Sequence, residues 1–464
     1  MKAKKSKILF IYPPSNINSK IQRELNYPPM GIVFLSSVVR DNGNTVKIFD
    51  GNVETQPFQK LQKLLEEFKP EVVGISFNSL LAESAYYTAE FIKKLNPHTT
   101  VIAGGYHPTV MPAEVINNDN YDFVVVGEGE VTFLEWLQEY DTGGDDFSGI
   151  KGLVFMKNGK LVKVGMREII PNIDNITMPA YDLLHLNRYK SMVSTRNPYV
   201  TFIRSRGCPF KCTFCGVNSM FSHKYRCQSP EKTVSEIDVL VKKFHVKEIL
   251  FKDSDFLINK RNVQKLCELL IEKKYDFIWS CNARVDMVDE HILTLMKNAG
   301  CKTVTYGVES GSQEIINRLR KGFSVEQARE AVEITKKVGI QCTVNIMFGN
   351  PGETKENVKE TMEFVKEIDP DLVHFSNLTA FPGSVIYDEA LENNWFIDGK
   401  ANFYGFEDLK LNATEMTDKE LSKIREYAVR DFYLRPSYIL KRLKHFNFSE
   451  LKNNLKGFFA IIRS

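Results

Sequence analysis

The chain has 464 residues, of which 43% are hydrophobic and 26% charged, and its formal net charge is +3. These values are typical of a water-soluble globular protein of two to four domains. A charge so close to neutral gives no reason to expect nucleic acid as a partner. The sequence contains no apolar run of about 18 residues, so we expect no membrane-spanning helix. Pro13 and Pro14 interrupt the apolar start too early for a secretory signal, so we expect a cytoplasmic protein.

Residues 1–140 alternate short strands with helical patterns, beginning with the strand KILFIY. Five such steps predict an α/β domain with a doubly wound, Rossmann-like parallel sheet. Ligands of such sheets bind beyond the carboxyl ends of the strands. Three loops there contain glycine, GISFNS, GGYHPT and GEGE. Glycine lets a large planar ligand approach the backbone, although a tight turn explains any single glycine equally well.

Three further segments follow. Residues 141–197 contain a Gly/Asp-rich loop, a predicted hairpin around LVFMKNGKLVKV and proline-containing stretches, and we interpret them as a linker. Residues 198–398 resume the alternation with about six βα units, which predicts a partial (β/α)6 barrel of the TIM type. Residues 399–464 are predicted to form a helical, basic C-terminal region.

The sequence RGCPFKCTFCG places Cys208, Cys212 and Cys215 in one loop directly after the first predicted barrel strand. All eight cysteines lie between residues 208 and 342, which favours metal or redox chemistry over disulfides. Thiolates suit zinc or an iron–sulfur cluster. A structural zinc site needs a fourth ligand, for which His223 and Cys227 are the nearby candidates. A cluster held by three thiolates would leave one iron open, and the spacing favours it over zinc.

The CxxxCxΦC pattern resembles the signature of radical S-adenosylmethionine (SAM) enzymes, and the resemblance extends over residues 199–395. It implies that the three cysteines hold a catalytic [4Fe–4S] cluster whose open iron binds SAM. The motifs FKDSD, CNARVD, YGVESGS and IMFGNPGET occur in the family's order. Taken singly, each motif residue has a simpler explanation as a turn, cap or ion-pair residue. The residues that the resemblance assigns to SAM are Phe214, Asp253, Asp255, Arg284, Glu309 and Gly349.

The glycine loops of the first domain resemble those of the cobalamin-binding domain that precedes many radical SAM domains. Many cobalamin domains place a histidine below the cobalt, in the loop after the second strand. The corresponding loop here, residues 50–55, has none, so we expect cobalamin bound without a protein histidine ligand. We expect His107 at the corrin periphery or nucleotide tail, with a core histidine as the alternative. The residues that the resemblance assigns to cobalamin are Ser76, Gly104, Gly105, His107, Gly127 and Glu128.

The resemblance implies a cobalamin-dependent radical SAM methyltransferase. Such an enzyme moves a methyl group from SAM through methylcobalamin to an unactivated carbon of a small-molecule or lipid-type intermediate, using a 5′-deoxyadenosyl radical. The alternatives are cyclisation, rearrangement or oxidation without methyl transfer, and a non-catalytic cobalamin or cluster sensor. We expect an electron donor such as flavodoxin or ferredoxin. The basic tail from Arg435 onward predicts either a helix packed on the barrel or a peripheral contact with anionic lipid.

Overall fold

A computed structural model describes residues 5–15, 27–189, 194–397, 399 and 410–444, without the side chains of residues 442–444. The strands in chain order are β1 (Lys7–Tyr12), β2 (Thr45–Asp50), β3 (Val72–Ser76), β4 (Thr100–Gly104), β5 (Phe123–Val125), β6 (Leu153–Lys157), β7 (Lys160–Lys163), β8 (Tyr199–Phe202), β9 (Ser205–Arg206), β10 (Arg226–Cys227), β11 (Glu248–Phe251), β12 (Ile278–Ala283), β13 (Cys301–Glu309), β14 (Gln341–Phe348) and β15 (Leu372–Asn377). The helices in chain order are α1 (Met30–Asp41), α2 (Pro57–Phe68), α3 (Ala82–Leu95), α4 (Tyr106–Val110), α5 (Pro112–Ile116), α6 (Gly129–Asp141), α7 (Val217–Phe221), α8 (Pro230–Phe244), α9 (Lys260–Lys273), α10 (Glu290–Asn298), α11 (Gln313–Arg318), α12 (Val325–Val338), α13 (Lys355–Ile368), α14 (Val385–Glu392), α15 (Asp418–Tyr433) and α16 (Pro436–Lys444).

The chain divides into two compact units. Unit 1 comprises residues 1–191 and 216–228, and unit 2 comprises residues 192–215 and 229–464. The segment that follows the third cysteine in sequence is therefore part of unit 1, together with the predicted cobalamin-binding loops.

Unit 1 is built on one sheet with the strand order β2-β1-β3-β4-β5-β6-β7. The strands from β1 to β5 pair in parallel. Strand β1, which lies between β2 and β3, is buried on both faces, because Leu9 and Ile11 join one hydrophobic core while Ile8 and Phe10 join another. This arrangement confirms the predicted doubly wound sheet. The direction in which successive strands are added to the sheet reverses between β1 and β3, and such sheets bind ligands at this point.

The predicted hairpin is present as β6 and β7, and it extends the first sheet. Strand β6 pairs antiparallel with β5, with Val124 opposite Val154, and β7 pairs antiparallel with β6. The sheet of unit 1 therefore continues past residue 140, where the sequence placed the start of a linker. The sequence pattern hid this continuity because β7 is an edge strand whose residues are mostly exposed and polar.

Unit 2 contains a six-stranded sheet with the order β15-β14-β13-β12-β11-β8. All neighbouring strands pair in parallel, which confirms the predicted partial (β/α)6 barrel. The last strand, β15, is an edge strand that helix α15 covers. The Tyr433 hydroxyl accepts a hydrogen bond from Val373 N at 2.9 Å and donates one to Val373 O at 2.6 Å. The Tyr433 side chain thus forms the two backbone hydrogen bonds of Val373 that a further strand would otherwise form.

The start of the basic tail packs on unit 2. Arg435 and Lys441 both form ion pairs with Asp369, the latter at 3.0 Å, and the Tyr438 hydroxyl donates to Asp371 O at 2.9 Å. These contacts agree with a helix packed on the barrel as far as residue 444. The remainder of the predicted lipid-contacting tail lies outside the described residues. Among the described residues, no helix combines the length and apolar character that crossing a bilayer requires.

Candidate active site

The three-cysteine loop is anchored by backbone hydrogen bonds to two helices of unit 2. Gly207 opens the loop with a φ of +84°, in the left-handed region that glycine tolerates best. Thr213 N donates to Leu319 O at 3.1 Å, and Thr213 O accepts from Ile386 N at 3.1 Å. The middle of the loop is therefore held between the end of α11 and the start of α14.

The thiol of Cys208 lies partly buried among the other two cysteines. Burial raises its pKa to about 11, the Phe210 backbone N–H counteracts this by donating to the sulfur, and the nearby Cys215 and Cys212 raise it further. A thiol with that pKa is protonated at neutral pH, so metal binding must displace its proton. Three soft sulfur donors in one partly buried loop suit an iron–sulfur cluster. Across the described ranges, no three Cys, His, Asp or Glu side chains are grouped around a single metal-ion position.

Two buried charged residues support the strand that leads into the cysteine loop. One oxygen of Asp253 accepts hydrogen bonds from Arg204 N at 3.1 Å and from Ser205 N and Oγ at 2.5 and 2.6 Å. The guanidinium of Arg204 donates to Phe256 O at 3.0 Å and lies 4.5 Å from the Phe256 ring centroid. Asp253, which the sequence assigned to SAM, is therefore oriented toward the base of the loop.

Each carboxylate of the FKDSD motif has one oxygen without a hydrogen-bond partner among the described residues. That of Asp253 lies 3.6 Å from Arg204 Nε in a buried ion pair, so Asp255 is the carboxylate better placed to bind a ligand. One of its oxygens accepts from Leu257 N at 2.8 Å, whereas the other is buried without a partner among the described residues. Burial raises the pKa of Asp255 to about 6, an effect that nearby Arg284 opposes. An unpaired buried acceptor next to the cysteine loop fits the ammonium group of SAM, which would supply both the hydrogen bond and the charge.

Glu309 is placed by a β-bulge at the end of β13. Gly307 pairs with Asn345 and Glu309 pairs with Ile346, so one residue between them is unmatched on the neighbouring strand. Glu309 has a φ of +75°, unusual for a residue with a side chain. A Cβ atom at Gly307 would lie 2.6 Å from Glu309 Oε1. The bulge and the glycine together turn the carboxylate out of the strand, as bulges near active sites commonly do.

Lys321 lies at the centre of a group of charged and aromatic side chains in unit 2. Its ammonium is 3.1 Å from Glu309 Oε1 and 5.4 Å from the ring centroid of Phe214, in the cysteine loop. Its carbonyl accepts a hydrogen bond from Arg284, whose guanidinium stacks on Phe210 with a distance of 3.7 Å to the ring centroid. The structure thus brings Phe214, Arg284 and Glu309 together through a lysine that the sequence motifs did not single out. The Arg284 guanidinium also forms an ion pair with Asp286, with Nε and Nη2 each 2.9 Å from one carboxylate oxygen, which is the simpler structural explanation of this residue.

The glycine motif after β14 is shaped by an internal carboxylate. Glu353 is 1% exposed, and its carboxylate accepts from Gly349 N at 2.6 Å and from the Asn350 side chain at 3.2 Å. Burial raises the pKa of Glu353 to about 7, while these hydrogen bonds lower it. Gly349 and Gly352 have φ of +84° and +69°. The turn that the resemblance places beside SAM is therefore preformed, with Glu353 as its internal support.

Glycines after β4 and β5 leave open space at the carboxyl edge of the unit 1 sheet. A Cβ atom at Gly104 or at Gly127 would meet no other atom within 4 Å. Gly105 is different, because its φ is +98° and an added Cβ would lie 2.8 Å from Phe77 O and 2.9 Å from Ser76 Oγ. Gly104 and Gly127 therefore suit the approach of a flat ligand such as cobalamin, whereas Gly105 is required by the turn itself.

His107 belongs to the interior of unit 1. It is 1% exposed, its Nδ1 lies 3.0 Å from Ser79 Oγ, and its Nε2 lies 3.4 Å from the Tyr86 hydroxyl and 3.5 Å from Glu114 Oε1. Both ring nitrogens thus have partners within the domain. This environment is that of a core histidine, and no cobalamin contact is needed to explain the residue.

Glu128, also assigned to cobalamin from sequence, forms a buried ion pair. Its carboxylate lies 2.9 Å from Arg226 Nη1 and accepts a hydrogen bond from Ile170 N at 2.8 Å. The side chain is 5% exposed. Glu128 is therefore engaged by Arg226, which sequence analysis did not identify because the two residues lie 98 positions apart.

The loop after β2, where many cobalamin domains carry a histidine, is closely packed against neighbouring residues of unit 1. Asp50 accepts hydrogen bonds from Asn52 N at 3.0 Å and from the Tyr189 hydroxyl at 3.0 Å. A Cβ atom at Gly51 would lie 2.5 Å from Pro14 N. Burial raises the pKa of Asp50 to about 6. These contacts tie the loop to the segment before the second unit.

Comparison with known proteins identifies the class. Residues 202–365 match the radical SAM superfamily, and residues 20–137 match the B12-binding domain. An uncharacterized methyltransferase of Pyrococcus horikoshii is 32% identical over 456 residues, which cover 98% of each chain. The chain belongs to the family of radical SAM enzymes that carry a cobalamin-binding domain. Its cofactors are a [4Fe–4S] cluster, SAM and cobalamin.

A second relative and one solved structure are also similar to this chain. The anaerobic magnesium-protoporphyrin IX monomethyl ester cyclase of Rubrivivax gelatinosus is 27% identical over 439 residues, which are 92% of this chain and 78% of that protein. The structure of TsrM from Kitasatospora setae, a radical SAM methyltransferase with cobalamin and a [4Fe–4S] cluster bound, matches with a TM-score of 0.73. The match covers 93% of this chain and 92% of TsrM at 18% identity, and it shows a common fold.

Proposed function

We propose that this enzyme transfers a methyl group from SAM, by way of cobalamin, to an unactivated carbon of a small-molecule or lipid-type biosynthetic intermediate. When bound, the cluster would supply the electron that cleaves SAM, and cobalamin would carry the methyl group. The observation that supports this proposal is the presence of both sites in one chain. Unit 2 presents three thiols beside the unpaired Asp255 oxygen, and unit 1 presents open backbone at Gly104 and Gly127.

The residues of unit 2 suit the handling of SAM. Cys208, Cys212 and Cys215 would hold the cluster, and the unpaired oxygen of Asp255 would accept a hydrogen bond from the SAM ammonium. Glu309, turned out of β13 and held by Lys321, is suited to accept hydrogen bonds from the ribose hydroxyls. Each of these groups is buried or partly buried, so water competes weakly with the ligand for their hydrogen bonds.

Radical cyclisation is the second candidate function, and the similarity to the magnesium-protoporphyrin ester cyclase favours it over rearrangement, oxidation or a sensor role. The two functions differ in the fate of the SAM methyl group. Methyl transfer moves that group onto the product, whereas cyclisation leaves it on methionine.

Label transfer distinguishes the two functions. The reconstituted enzyme would be incubated anaerobically with cobalamin, a strong reductant, an extract of small molecules and lipids, and SAM carrying a CD3 methyl group. We expect a product whose mass has increased by the transferred CD3, and none with the Cys212→Ala protein. Formation of 5′-deoxyadenosine together with a product that lacks deuterium would instead support cyclisation.

We further propose flavodoxin or ferredoxin as the electron donor, because reductive SAM cleavage needs a single low-potential electron. A peripheral contact with anionic lipid through the tail beyond residue 444 also stays a proposal. Vesicle sedimentation of the full chain and of a chain that ends at residue 444 tests it, and equal sedimentation would contradict it.

A further inference from the structure

Arg226 is a buried arginine of unit 1 whose guanidinium is held from one end. The side chain is 8% exposed. A single nitrogen, Nη1, lies 3.1 and 2.9 Å from the two oxygens of Glu128 and donates to Ile170 O at 2.6 Å. The Phe221 ring centroid lies 5.7 Å from the guanidinium carbon. All polar contacts to the described residues thus converge on one of the three guanidinium nitrogens.

The other two nitrogens, Nε and Nη2, are buried and have no hydrogen-bond partner among the described residues. Arginine usually pairs with a carboxylate through two parallel N–H···O bonds. Here Glu128 contacts only Nη1, so the two parallel bonds are not formed. The donors Nε–H and Nη2–H stay without a partner, which is unfavourable in a buried site. The arrangement is readily explained if a bound ligand accepts these hydrogen bonds.

The position of Arg226 indicates which ligand this is. Its partner Glu128 directly follows Gly127, the open glycine after β5. The segment 216–228 that carries Arg226 also packs against the loop after β4, because a Cβ atom at Gly216 would overlap the Tyr106 hydroxyl. Arg226 therefore lies at the carboxyl edge of the unit 1 sheet, where ligands of doubly wound sheets bind.

We propose that Arg226 is a cobalamin-binding residue that donates Nε–H and Nη2–H to an oxygen of the cofactor. Cobalamin offers two kinds of acceptor, the phosphodiester of its nucleotide tail and the amide carbonyls around the corrin. Both accept hydrogen bonds from a guanidinium fork. Glu128 positions the guanidinium by binding its third nitrogen, Nη1. The inference rests on cobalamin binding by unit 1 and extends it to a residue outside the B12-binding match.

Equilibrium dialysis of the full chain against hydroxocobalamin tests the inference without an activity assay. We expect Arg226→Gln to bind cobalamin about tenfold more weakly than the wild type, because two charged hydrogen bonds are lost. Arg167→Gln is the matched control. Arg167 is also an arginine of unit 1, but its guanidinium is engaged by Glu135, Thr132 and Lys151 O, so its loss should leave cobalamin affinity unchanged.

Two further variants separate ligand binding from folding. Glu128→Gln breaks the same ion pair yet keeps the arginine donors, so it should lose less affinity than Arg226→Gln. Arg226→Lys keeps a charge for Glu128 but lacks the fork, so it should fold and still bind cobalamin more weakly. Binding by Arg226→Lys and Arg226→Gln within about twofold of the wild type would overturn the inference.

Cobinamide, which lacks the nucleotide tail, distinguishes the two acceptors. If the loss caused by Arg226→Gln disappears with dicyanocobinamide, the phosphodiester is the acceptor, and if it persists, a corrin amide is. Either result supports the inference. A wild-type chain that binds neither corrinoid would overturn the inference and cobalamin binding together, whereas normal binding by all variants would overturn the inference alone.

Discussion

Lys321 Nζ lies 3.1 Å from Glu309 Oε1, and the two side chains are 6% and 12% exposed. The lysine follows the glutamate by twelve residues and reaches it through α11 and the turn after that helix. Because Glu309 has a strained backbone at the end of β13, its carboxylate direction depends on what holds it. The ion pair fixes that direction before any ligand arrives.

Replacement of Lys321 by methionine should weaken SAM binding by about tenfold, because the Glu309 carboxylate loses the group that orients it. Lys321→Arg should restore most of the affinity, since it keeps the charge next to Glu309. Equilibrium dialysis of the cluster-reconstituted protein with SAM gives both dissociation constants. Lys302→Met, at a half-buried lysine that donates to Thr195, is the matched control. Unchanged SAM affinity in Lys321→Met would refute a positioning role.

Gly104 and Gly105 are adjacent and should respond oppositely to substitution. Gly104→Leu should lower the melting temperature less than Gly105→Ala does, because no atom lies within 4 Å of the new Cβ at Gly104. It should lower cobalamin affinity by about tenfold or more, because the side chain fills the space the corrin needs. Absorbance titration with hydroxocobalamin measures this loss, and full affinity in a folded Gly104→Leu protein would place the corrin elsewhere.

Gly105→Ala should destabilise the protein by about 1–3 kcal/mol, since its φ is +98° and its Cβ would lie 2.8 Å from Phe77 O. Urea unfolding of the cofactor-free protein measures this change, with Gly159→Ala as the control. Gly159 has a φ of +72° but open surroundings, so the difference between the two variants reports the contact with Phe77 together with the extended ψ of −165° at Gly105, a conformation that essentially only glycine adopts. Equal stabilities would show that the turn tolerates a side chain at Gly105.

Asp50→Asn should change how stability depends on pH. Burial raises the pKa of Asp50 from 3.8 to about 6. Between these values the unfolded chain releases the proton while the folded chain retains it, so the wild type loses stability as the pH rises from about 4 to about 6. Above pH 6 Asp50 is ionised in both the folded and the unfolded chain, so the free energy of unfolding falls no further on its account. Asparagine does not titrate, so the variant should lack this part of the decline.

The expected difference between Asp50→Asn and the wild type grows by roughly 3 kcal/mol across that interval, because one pKa unit corresponds to about 1.4 kcal/mol. Urea unfolding at intervals from pH 4 to pH 7 measures it. A difference that stays constant with pH would show that Asp50 has an ordinary pKa in the folded protein.

Cys212→Ala should reduce cluster iron to background and abolish reductive SAM cleavage, because the loop then offers two thiolates instead of three. Cys267→Ala is the control, since Cys267 is fully buried in α9. Iron content, absorbance of the reconstituted protein and 5′-deoxyadenosine formation provide the comparison. Continued SAM cleavage by Cys212→Ala would contradict the assignment of the cluster ligands.

The strand and helix pattern allowed both sheets to be predicted, because buried parallel strands and amphipathic helices leave distinct periods in the sequence. The cysteine loop, Glu309 and Gly349 were likewise recognisable from local motifs. The continuation of the first sheet through β6 and β7 was not, since an exposed edge strand carries little apolar signal.

Roles that depend on distant contacts could not be predicted. Asp253 and Asp255 belong to one motif, yet Asp253 is bound to Ser205 and paired with Arg204, whereas one oxygen of Asp255 accepts no hydrogen bond from the described residues. His107 stands in a glycine loop that suggests a ligand site, but Ser79 and Tyr86 enclose its ring. Lys321 and Arg226 carry no motif, because their partners are brought to them only by the fold.

The most direct test of methyl transfer through cobalamin is the analysis of SAM products. The reconstituted wild type would be incubated anaerobically with SAM and a strong reductant, with and without hydroxocobalamin, and the products measured by mass spectrometry. We predict both 5′-deoxyadenosine and S-adenosylhomocysteine, the latter only when cobalamin is present. Formation of 5′-deoxyadenosine alone under both conditions would contradict methyl transfer through cobalamin and support radical cyclisation.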